Sequence, residues 1–214
     1  DIAVILDNTW ATPFFFDALG RGVDISLMAA TKYIVGHSDA MLGTVTANDT
    51  YYKQLRNTHG NLGLCVGPDD IYLGQRGLRT LAVRLKQHQQ TALQLTDWLR
   101  KHPLVERILY PVLSDDPGHK LWKRDFKGAS GLFGLELKPC SKAAVAAMLD
   151  HMELFGMGWS WGGYESLIVP AHPHRTAKKF EHQGPLLRIH AGLEAVEDLI
   201  ADLDAGFERL KKVT

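Results

Sequence analysis

Two side chains that could do chemistry follow β-rich runs near the start of the chain. Asp7 follows the apolar run at residues 2–6, and Lys32 follows the run at residues 23–28. Because ligands of open α/β sheets bind beyond the carboxyl ends of the strands, we expect Asp7 and Lys32 to face one site. A lysine at a strand end is commonly a solvated surface charge, whereas a reactive lysine needs a desolvated or specially paired setting. The residues around Lys32 therefore decide between these two interpretations.

The segments around both residues resemble one family of cofactor-dependent enzymes. Residues 29–39 (AATKYIVGHSD) are similar to the cofactor-lysine segment of the Cys/Met-metabolism family of pyridoxal-phosphate enzymes, and residues 7–13 (DNTWATP) are similar to its aspartate segment. The resemblance implies that Lys32 carries pyridoxal 5'-phosphate and that Asp7 pairs with the pyridine nitrogen. A protonated ring nitrogen makes the ring an electron sink. Once released by substrate, Lys32 is implied to move the Cα proton.

The residues just before Lys32 refine this resemblance. Thr31 occupies the family position whose hydroxyl binds the cofactor phosphate, and the alternative is a turn residue at a strand end. Ala29 occupies a position where many members have a serine for the same phosphate. The resulting Ala-Ala-Thr-Lys version resembles the bacterial cystathionine β-lyases more than the γ-lyases and γ-synthases.

A segment rich in aromatic residues and glycine resembles the family's substrate loop. Residues 159–167 read WSWGGYESL. Such a cluster is by default a packed turn, but the resemblance implies that Ser160 and Trp161 help to bind the substrate carboxylate. The tryptophan form is similar to that of β-lyases. Trp159 stands where the nearest relatives are expected to have a tyrosine.

Arg188 is the candidate for binding the substrate's α-carboxylate. Residues 186–194 (LLRIHAGLE) resemble the family's Arg-x-x-x-Gly-x-Glu segment, whose arginine is Arg188 here. An arginine in an apolar strand needs a partner, because a desolvated guanidinium without one is costly. A carboxylate offers two oxygens to its planar fork. A structural ion pair is the alternative.

The histidines are not interpreted as a metal site. His172 and His174 lie in a proline-rich loop with no third ligand evident nearby. Together with His37 and His190, they are interpreted as structural or surface residues.

The composition favours a protein that acts on small molecules. Lys plus Arg and Asp plus Glu number 24 each, so no overall basic field attracts nucleic acid or an acidic membrane. With no apolar stretch of about 18 residues and no signal-peptide pattern, no membrane-spanning or secretory segment is expected. Cys65 and Cys140 lie far apart and are predicted to be separate reduced thiols, which fits the cytoplasm.

Hydrophobic periodicity predicts alternating strands and helices. Strands are expected at residues 2–6, 23–28, 41–47, 132–137 and 186–190. The first of these reads as a buried strand. Apolar steps of four and three residues predict a long helix through Leu81, Leu85, His88, Ala92, Leu95 and Leu99. Further helices are expected near residues 141–151 and, as an amphipathic docking helix, from Val196 onward.

The resemblance implies an α/β fold, the fold-type-I pyridoxal-phosphate transferase-like fold. Residues 1–80 would end the large cofactor domain, and residues 81–214 would form a linking helix and a smaller C-terminal α/β domain. The implied activity is α,β-elimination of L-cystathionine to homocysteine, pyruvate and ammonia in methionine biosynthesis. A sibling γ-elimination or γ-replacement and a non-catalytic pyridoxal-phosphate-binding protein are the alternatives, and cystine or related conjugates are alternative substrates.

The resemblance also implies partners and a missing segment. The substrate would be a small sulfur amino acid, and the protein would be a cytoplasmic homotetramer whose subunits share active sites. The chain begins without Met and inside an apolar run, so we expect the polypeptide to begin upstream. The family's ring-stacking tyrosine and its glycine-rich phosphate-binding helix start are expected there, and the active site would need them.

Overall fold

The computed structural model describes residues 2–177 and 180–213. Its strands are β1 (Ile5–Asp7), β2 (Ile25–Ala29), β3 (Gly43–Ala47), β4 (Val105–Leu109), β5 (Leu132–Leu137), β6 (Leu167–Pro170) and β7 (Leu186–His190). Its helices are α1 (Thr12–Phe15), α2 (Asp49–Asn61), α3 (Pro68–Leu78), α4 (Leu81–Leu99), α5 (His119–Asp125), α6 (Lys142–Leu149) and α7 (Val196–Lys211), with a short 3₁₀ helix at Leu19–Arg21.

The first sheet has the order β1-β2-β3, and Asp7 and Lys32 lie at the same end of it. β1 and β2 are parallel, with Asp7 opposite Leu27, and β3 is antiparallel to β2. The carboxyl ends of β1 and β2 therefore meet at the same end of the sheet. Lys32 lies in the turn that follows β2, where its N–H donates to Ala29 O at 3.0 Å. The expected convergence of these two strand ends is confirmed.

The prediction that the first strand is buried is wrong for this chain. β1 covers only Ile5–Asp7, and the side chains of Ile2, Val4 and Ile5 are 93%, 50% and 59% exposed. Among the described strands, β1 pairs only with β2 and forms the edge of the sheet. A short apolar run indicates that a strand can be buried, but it does not show which other residues pack over that strand.

The second sheet has the order β4-β5-β7-β6 and is antiparallel throughout. Strands β5 and β7 have the predicted bounds. One face of the sheet packs in the main hydrophobic core through alternate residues, namely Phe133, Leu135, Leu137, Ile168, Leu187 and Ile189. The alternation places Arg188 on the opposite face of β7, between Leu187 and Ile189.

Helix α4 connects the two hydrophobic cores. Leu81 and Leu85 belong to the smaller core around Ala11, whereas Ala92, Leu95 and Leu99 belong to the main core. All six positions predicted to form the apolar face are buried. This arrangement suits a linking helix, and the division into residues 1–80 and 81–214 stays a prediction.

The later helices follow their predicted patterns. α6 lies within the predicted range, and the Ser141 side chain caps it by accepting a hydrogen bond from Ala144 N. α7 buries Leu199, Leu203 and Phe207 and packs against α6 and α4. By contrast, α2 has no buried residue in the structure. α2 contains few apolar residues, so no helix was predicted there.

Close packing of α3 against the chain after Lys32 requires a glycine. A Cβ at Gly77 would lie 2.2 Å from Ile34 O and 2.6 Å from Val35 O. Both are backbone atoms, which cannot move aside as the end of a side chain can. Gly77 therefore lets α3 support the segment that carries Lys32.

Replacing Gly77 by alanine should destabilise the protein. We expect Gly77→Ala to lower the free energy of unfolding by about 1 to 3 kcal/mol, because a methyl group would overpack this contact. Gly60 is the matched control, since it lies in α2 and a Cβ added there would have no atom within 4 Å. Gly60→Ala should be neutral or stabilise by up to about 1 kcal/mol through helix propensity. Urea unfolding of both variants measures this, and equal effects would contradict the packing argument.

Candidate active site

The carboxylate of Asp7 is oriented by the residue two positions later. Asp7 Oδ1 accepts hydrogen bonds from the Thr9 backbone N–H, at 2.9 Å, and from the Thr9 hydroxyl. Thr9 Oγ1 in turn accepts from Ala29 N at 2.9 Å. Thr9 therefore ties the end of β1 to the end of β2. Oδ2 of Asp7 makes no hydrogen bond within the described part of the chain, and the residue is exposed.

The Lys32 amine is partly shielded from solvent and has two neighbours on one turn. The side chain is half-buried, and its Nζ lies 2.7 Å from Ser160 Oγ and 5.3 Å from the centre of the Trp161 ring. Desolvation lowers the pKa of Lys32, and the positive charge of Arg188 lowers it further. A lowered pKa increases the fraction of neutral amine, as a reactive lysine requires, and that role of Lys32 stays a prediction.

Arg188 contacts the turn that carries Ser160. It has no acidic partner among the described residues. Its Nη2 donates to the carbonyls of Gly158 (3.1 Å), Trp159 (2.8 Å) and Ser160 (3.1 Å). Partial burial lowers the pKa of the guanidinium. Nη1 and Nε make no hydrogen bond within residues 2–177 and 180–213. The ion-pair alternative therefore finds no support there, and the role of Arg188 in binding a carboxylate stays a prediction.

The turn that carries Ser160 and Trp161 packs directly on Lys32. Gly162 has φ +87°, and a Cβ there would lie 2.9 Å from Lys32 Cβ and 3.0 Å from Tyr33 N. The aromatic and glycine-rich segment is thus a packed turn, and it also lines the Lys32 side chain. The structure brings Lys32, Ser160, Trp161 and Arg188 together, with Asp7 at the same end of the first sheet.

The hydroxyl of Thr31 already has partners in the strand-end turn. Thr31 Oγ1 accepts from Leu42 N at 3.0 Å and lies 3.2 Å from Leu42 O. This geometry fits the alternative interpretation, a turn residue that joins β2 to the start of β3. A phosphate could be bound only if the hydroxyl proton turned away from Leu42 O, and that role for Thr31 stays a prediction.

Arg84 binds backbone carbonyls of the segment that follows Lys32. This role was not predicted from the sequence. Arg84 is 7% exposed, and it donates to Tyr33 O (2.7 Å), Ile34 O (3.1 Å) and Gly77 O (2.8 Å). Burial lowers the pKa of this guanidinium as well. The available signal was its position three residues after Leu81, where a charge interrupts the apolar face of α4.

The glutamate that ends the Arg-x-x-x-Gly-x-Glu segment fastens the turn to β7. Glu194 accepts from Ser166 N at 2.7 Å and from Ser166 Oγ at 2.8 Å. Ser166 Oγ accepts from Gly192 N at 2.8 Å. Two of the segments that carry the family resemblance are therefore joined by hydrogen bonds that are buried or partly buried.

Two buried histidines, His88 and His190, pack beside Tyr33, the residue that follows Lys32. The rings of His88 and His190 are 5.1 Å apart, and the ring of Tyr33 lies 5.3 Å from His88. Burial lowers the pKa of His88 to about 4 and that of His190 to about 3. Both rings are therefore neutral at physiological pH. By contrast, the side chains of His37, His172 and His174 are exposed.

The remaining sequence expectations concern thiols, metals and membranes. Cys65 and Cys140 are free cysteines, as predicted. Within the described ranges, no group of three or more histidine, cysteine or acidic residues could hold a metal ion. Nor does any described helix combine the length and apolar character needed to cross a bilayer.

Comparison with known proteins identifies the family. The family described as "Cys/Met metabolism PLP-dependent enzyme" matches residues 1–208, and the chain belongs to it. Cystathionine beta-lyase MetC of Escherichia coli K12 is 48% identical over 98% of this chain and 55% of its own length. The L-alanine/L-glutamate racemase of Wolbachia pipientis wMel is 45% identical over 98% of this chain and 54% of its own.

A solved structure confirms the fold class. Cystathionine gamma synthase of Xanthomonas oryzae pv. oryzae superposes with a TM-score of 0.90 at 37% identity, over 99% of this chain and 57% of that chain. The predicted α/β architecture of pyridoxal-phosphate fold type I is therefore confirmed. The chain spans about half the length of the curated relatives that it matches.

The depressed pKa of His88 should make stability depend on pH. Because the unfolded histidine titrates near 6.5 and the folded one near 4, only the unfolded state takes up this proton between those values. Stability is therefore full above pH 6.5 and falls as the pH is lowered towards 4. His88→Asn keeps a donor towards Ala191 O and removes the titration, so its slope should be smaller by up to about 1.4 kcal/mol per pH unit.

Urea unfolding at several values between pH 4 and 7 measures this slope. His59→Asn is the matched control, since His59 is exposed on α2. Equal slopes for the His88 variant and the unsubstituted protein would contradict the assignment of a buried neutral ring.

Proposed function

We propose that the protein binds pyridoxal 5'-phosphate and cleaves L-cystathionine by α,β-elimination, giving homocysteine, pyruvate and ammonia. The observation that carries this proposal is the position of Lys32 Nζ, which lies 2.7 Å from Ser160 Oγ in a turn held by Arg188. The names of the relatives add support, since several are cystathionine beta-lyases. Methionine biosynthesis, a cytoplasmic location and a homotetramer with shared active sites belong to the same proposal.

The residues at the strand ends suit the cofactor. Lys32 offers a half-buried amine with a lowered pKa, and Asp7 offers a carboxylate oxygen that has no other hydrogen bond in the described chain. Asp7 would pair with the ring nitrogen, and Lys32 would hold the cofactor. Bound pyridoxal phosphate supplies an electron sink for the bonds at the substrate Cα.

The chain's own residues would bind the substrate and move protons. The free edge of the Arg188 guanidinium would bind the α-carboxylate and so orient Cα towards Lys32. In its neutral form, which the lowered pKa favours, the Lys32 amine would take the Cα proton. Ser160 Oγ, within hydrogen-bond distance of Nζ, would hold this amine in place. The Cβ–S bond would then break, with homocysteine as the leaving group, and hydrolysis of the released 2-aminoacrylate by water would give pyruvate and ammonia.

A racemase is the second candidate, because one relative at 45% identity is an L-alanine/L-glutamate racemase. Removal and return of the Cα proton would use the same Lys32. The γ-eliminating and γ-replacing siblings would also use the same lysine, aspartate and arginine. Ala29 and Trp161 favour the β-lyase, since both resemble that subgroup.

Product analysis with pyridoxal phosphate and L-cystathionine tests the proposal. We expect pyruvate together with homocysteine, and no product from Lys32→Ala because that variant lacks the amine. Release of 2-oxobutyrate would show γ-elimination instead. D-alanine formed from L-alanine without pyruvate from cystathionine would show a racemase. Cofactor absorbance without any product would show a binding protein.

Arg188→Lys should impair turnover although it keeps the charge. An ammonium group loses the planar fork, so we expect kcat/KM for cystathionine to fall roughly 30-fold to 1000-fold. The cofactor absorbance spectrum should be unchanged, since Arg188 is proposed to contact the substrate. Arg107→Lys is the control, because Arg107 lies on β4 and pairs with Glu136 at 2.6 Å. A variant that loses cofactor but keeps kcat/KM in the remaining holoenzyme would contradict the role of Arg188.

A further inference from the structure

His190 is buried, and both of its ring nitrogens have hydrogen-bond partners. The proposed reaction assigns it no role. It lies on β7 two residues after Arg188, so both side chains project from the same face of the sheet. That face is turned towards the turn at residues 158–165, as the contacts of Arg188 show. The side chain of His190 is 1% exposed, whereas that of Arg188 is half-buried.

The partners of His190 determine its tautomer. Nε2 lies 3.1 Å from Gly162 N, and a backbone N–H can only donate, so Nε2 must be unprotonated. Nδ1 lies 3.1 Å from Glu165 O, and a carbonyl can only accept, so Nδ1 must carry the hydrogen. The neutral ring therefore bridges two points of the same turn, and both ring nitrogens are used.

Gly162 is the point at which the turn meets Lys32. Its backbone approaches Lys32 so closely that an added Cβ would lie 2.9 Å from Lys32 Cβ. The two residues before it provide the contacts of Nζ, which are the Trp161 ring and Ser160 Oγ. A shift of the Gly162 backbone would therefore move both neighbours of the amine.

We propose that His190 is a positioning residue for the Lys32 amine. By accepting the Gly162 N–H, the neutral ring fixes residues 160–162 against Lys32 and keeps Ser160 Oγ beside Nζ. Arg188 holds the carbonyls on one side of the turn, and His190 holds the amide on the other. This inference rests on the proposed function, because the amine that is positioned is the one assigned to Cα proton transfer.

Two amide substitutions separate the two hydrogen bonds of the ring. The side-chain amide of glutamine can place an oxygen near the position of Nε2, so His190→Gln retains an acceptor for Gly162 N–H. The shorter asparagine can place its NH₂ group near the position of Nδ1, so His190→Asn retains the donor towards Glu165 O and loses the acceptor. Both variants remove the imidazole and keep a neutral polar side chain.

Hydrogen exchange of the Gly162 amide and steady-state kinetics of the holoenzyme measure the effect. For His190→Asn we expect exchange to rise at least about 10-fold and kcat to fall on the order of 10-fold to 100-fold. The change should fall mainly on kcat, since Arg188 is retained. For His190→Gln both quantities should stay within about 3-fold of the unsubstituted protein. Equal losses in the two variants, or unchanged exchange in His190→Asn, would overturn the proposal.

The unsubstituted protein provides a test that does not depend on folding of the variants. The ¹⁵N chemical shifts of His190 should show a protonated Nδ1 and an unprotonated Nε2 at neutral pH. The opposite tautomer or a charged ring would overturn the proposal. If the unsubstituted protein released no pyruvate, the lyase function would fail, but the exchange and tautomer measurements would still decide the role of His190.

Discussion

Close backbone approach to the Lys32 segment is the constraint on which the rest of the structure depends. Gly77 brings α3 against Ile34 O and Val35 O, and Gly162 brings the turn at residues 158–165 against Lys32. A side chain at either position would push its element away from the lysine. Because these contacts involve backbone atoms and the Cβ of Lys32, they hold the segment that carries Lys32 more rigidly than the ends of flexible side chains could.

Positive charge without acidic partners is the second property of the site. Arg84, Arg188 and Lys32 lie around the same segment, and the described residues place backbone carbonyls or a hydroxyl beside them rather than carboxylates. Carbonyl oxygens satisfy the donors but do not neutralise the charge. Within the described residues these three cations therefore have no carboxylate as a direct partner, although Asp7 lies at the same end of the first sheet. The positive charge of Arg188 contributes to the lowered pKa of Lys32.

The sequence predicted the parts of the fold and the site that have a local signal. Strands β5 and β7 and the apolar faces of α4 and α7 have the predicted positions, because burial on one face imposes a period of two or of 3.6 residues. The exposure of β1 was missed because periodicity does not show which surfaces are covered. Lys32, Ser160, Trp161 and Arg188 were chosen by resemblance, and the structure places them together. Arg84 was missed because its partners Tyr33 and Ile34 are remote in sequence, and the charge on the face of α4 does not show which residues it contacts.

Strand β7 links the main core to the site through the alternation of its side chains. Ile189 is fully buried in the core, and its neighbours Arg188 and His190 project to the opposite face. Packing around Ile189 therefore fixes the position of the β7 backbone from which both side chains contact the turn. Arg188 binds its carbonyls, and His190 binds an amide, so the turn is held from one rigid strand by groups of opposite hydrogen-bonding character. The precision of the Lys32 environment thus depends on core packing as well as on the residues that contact the amine.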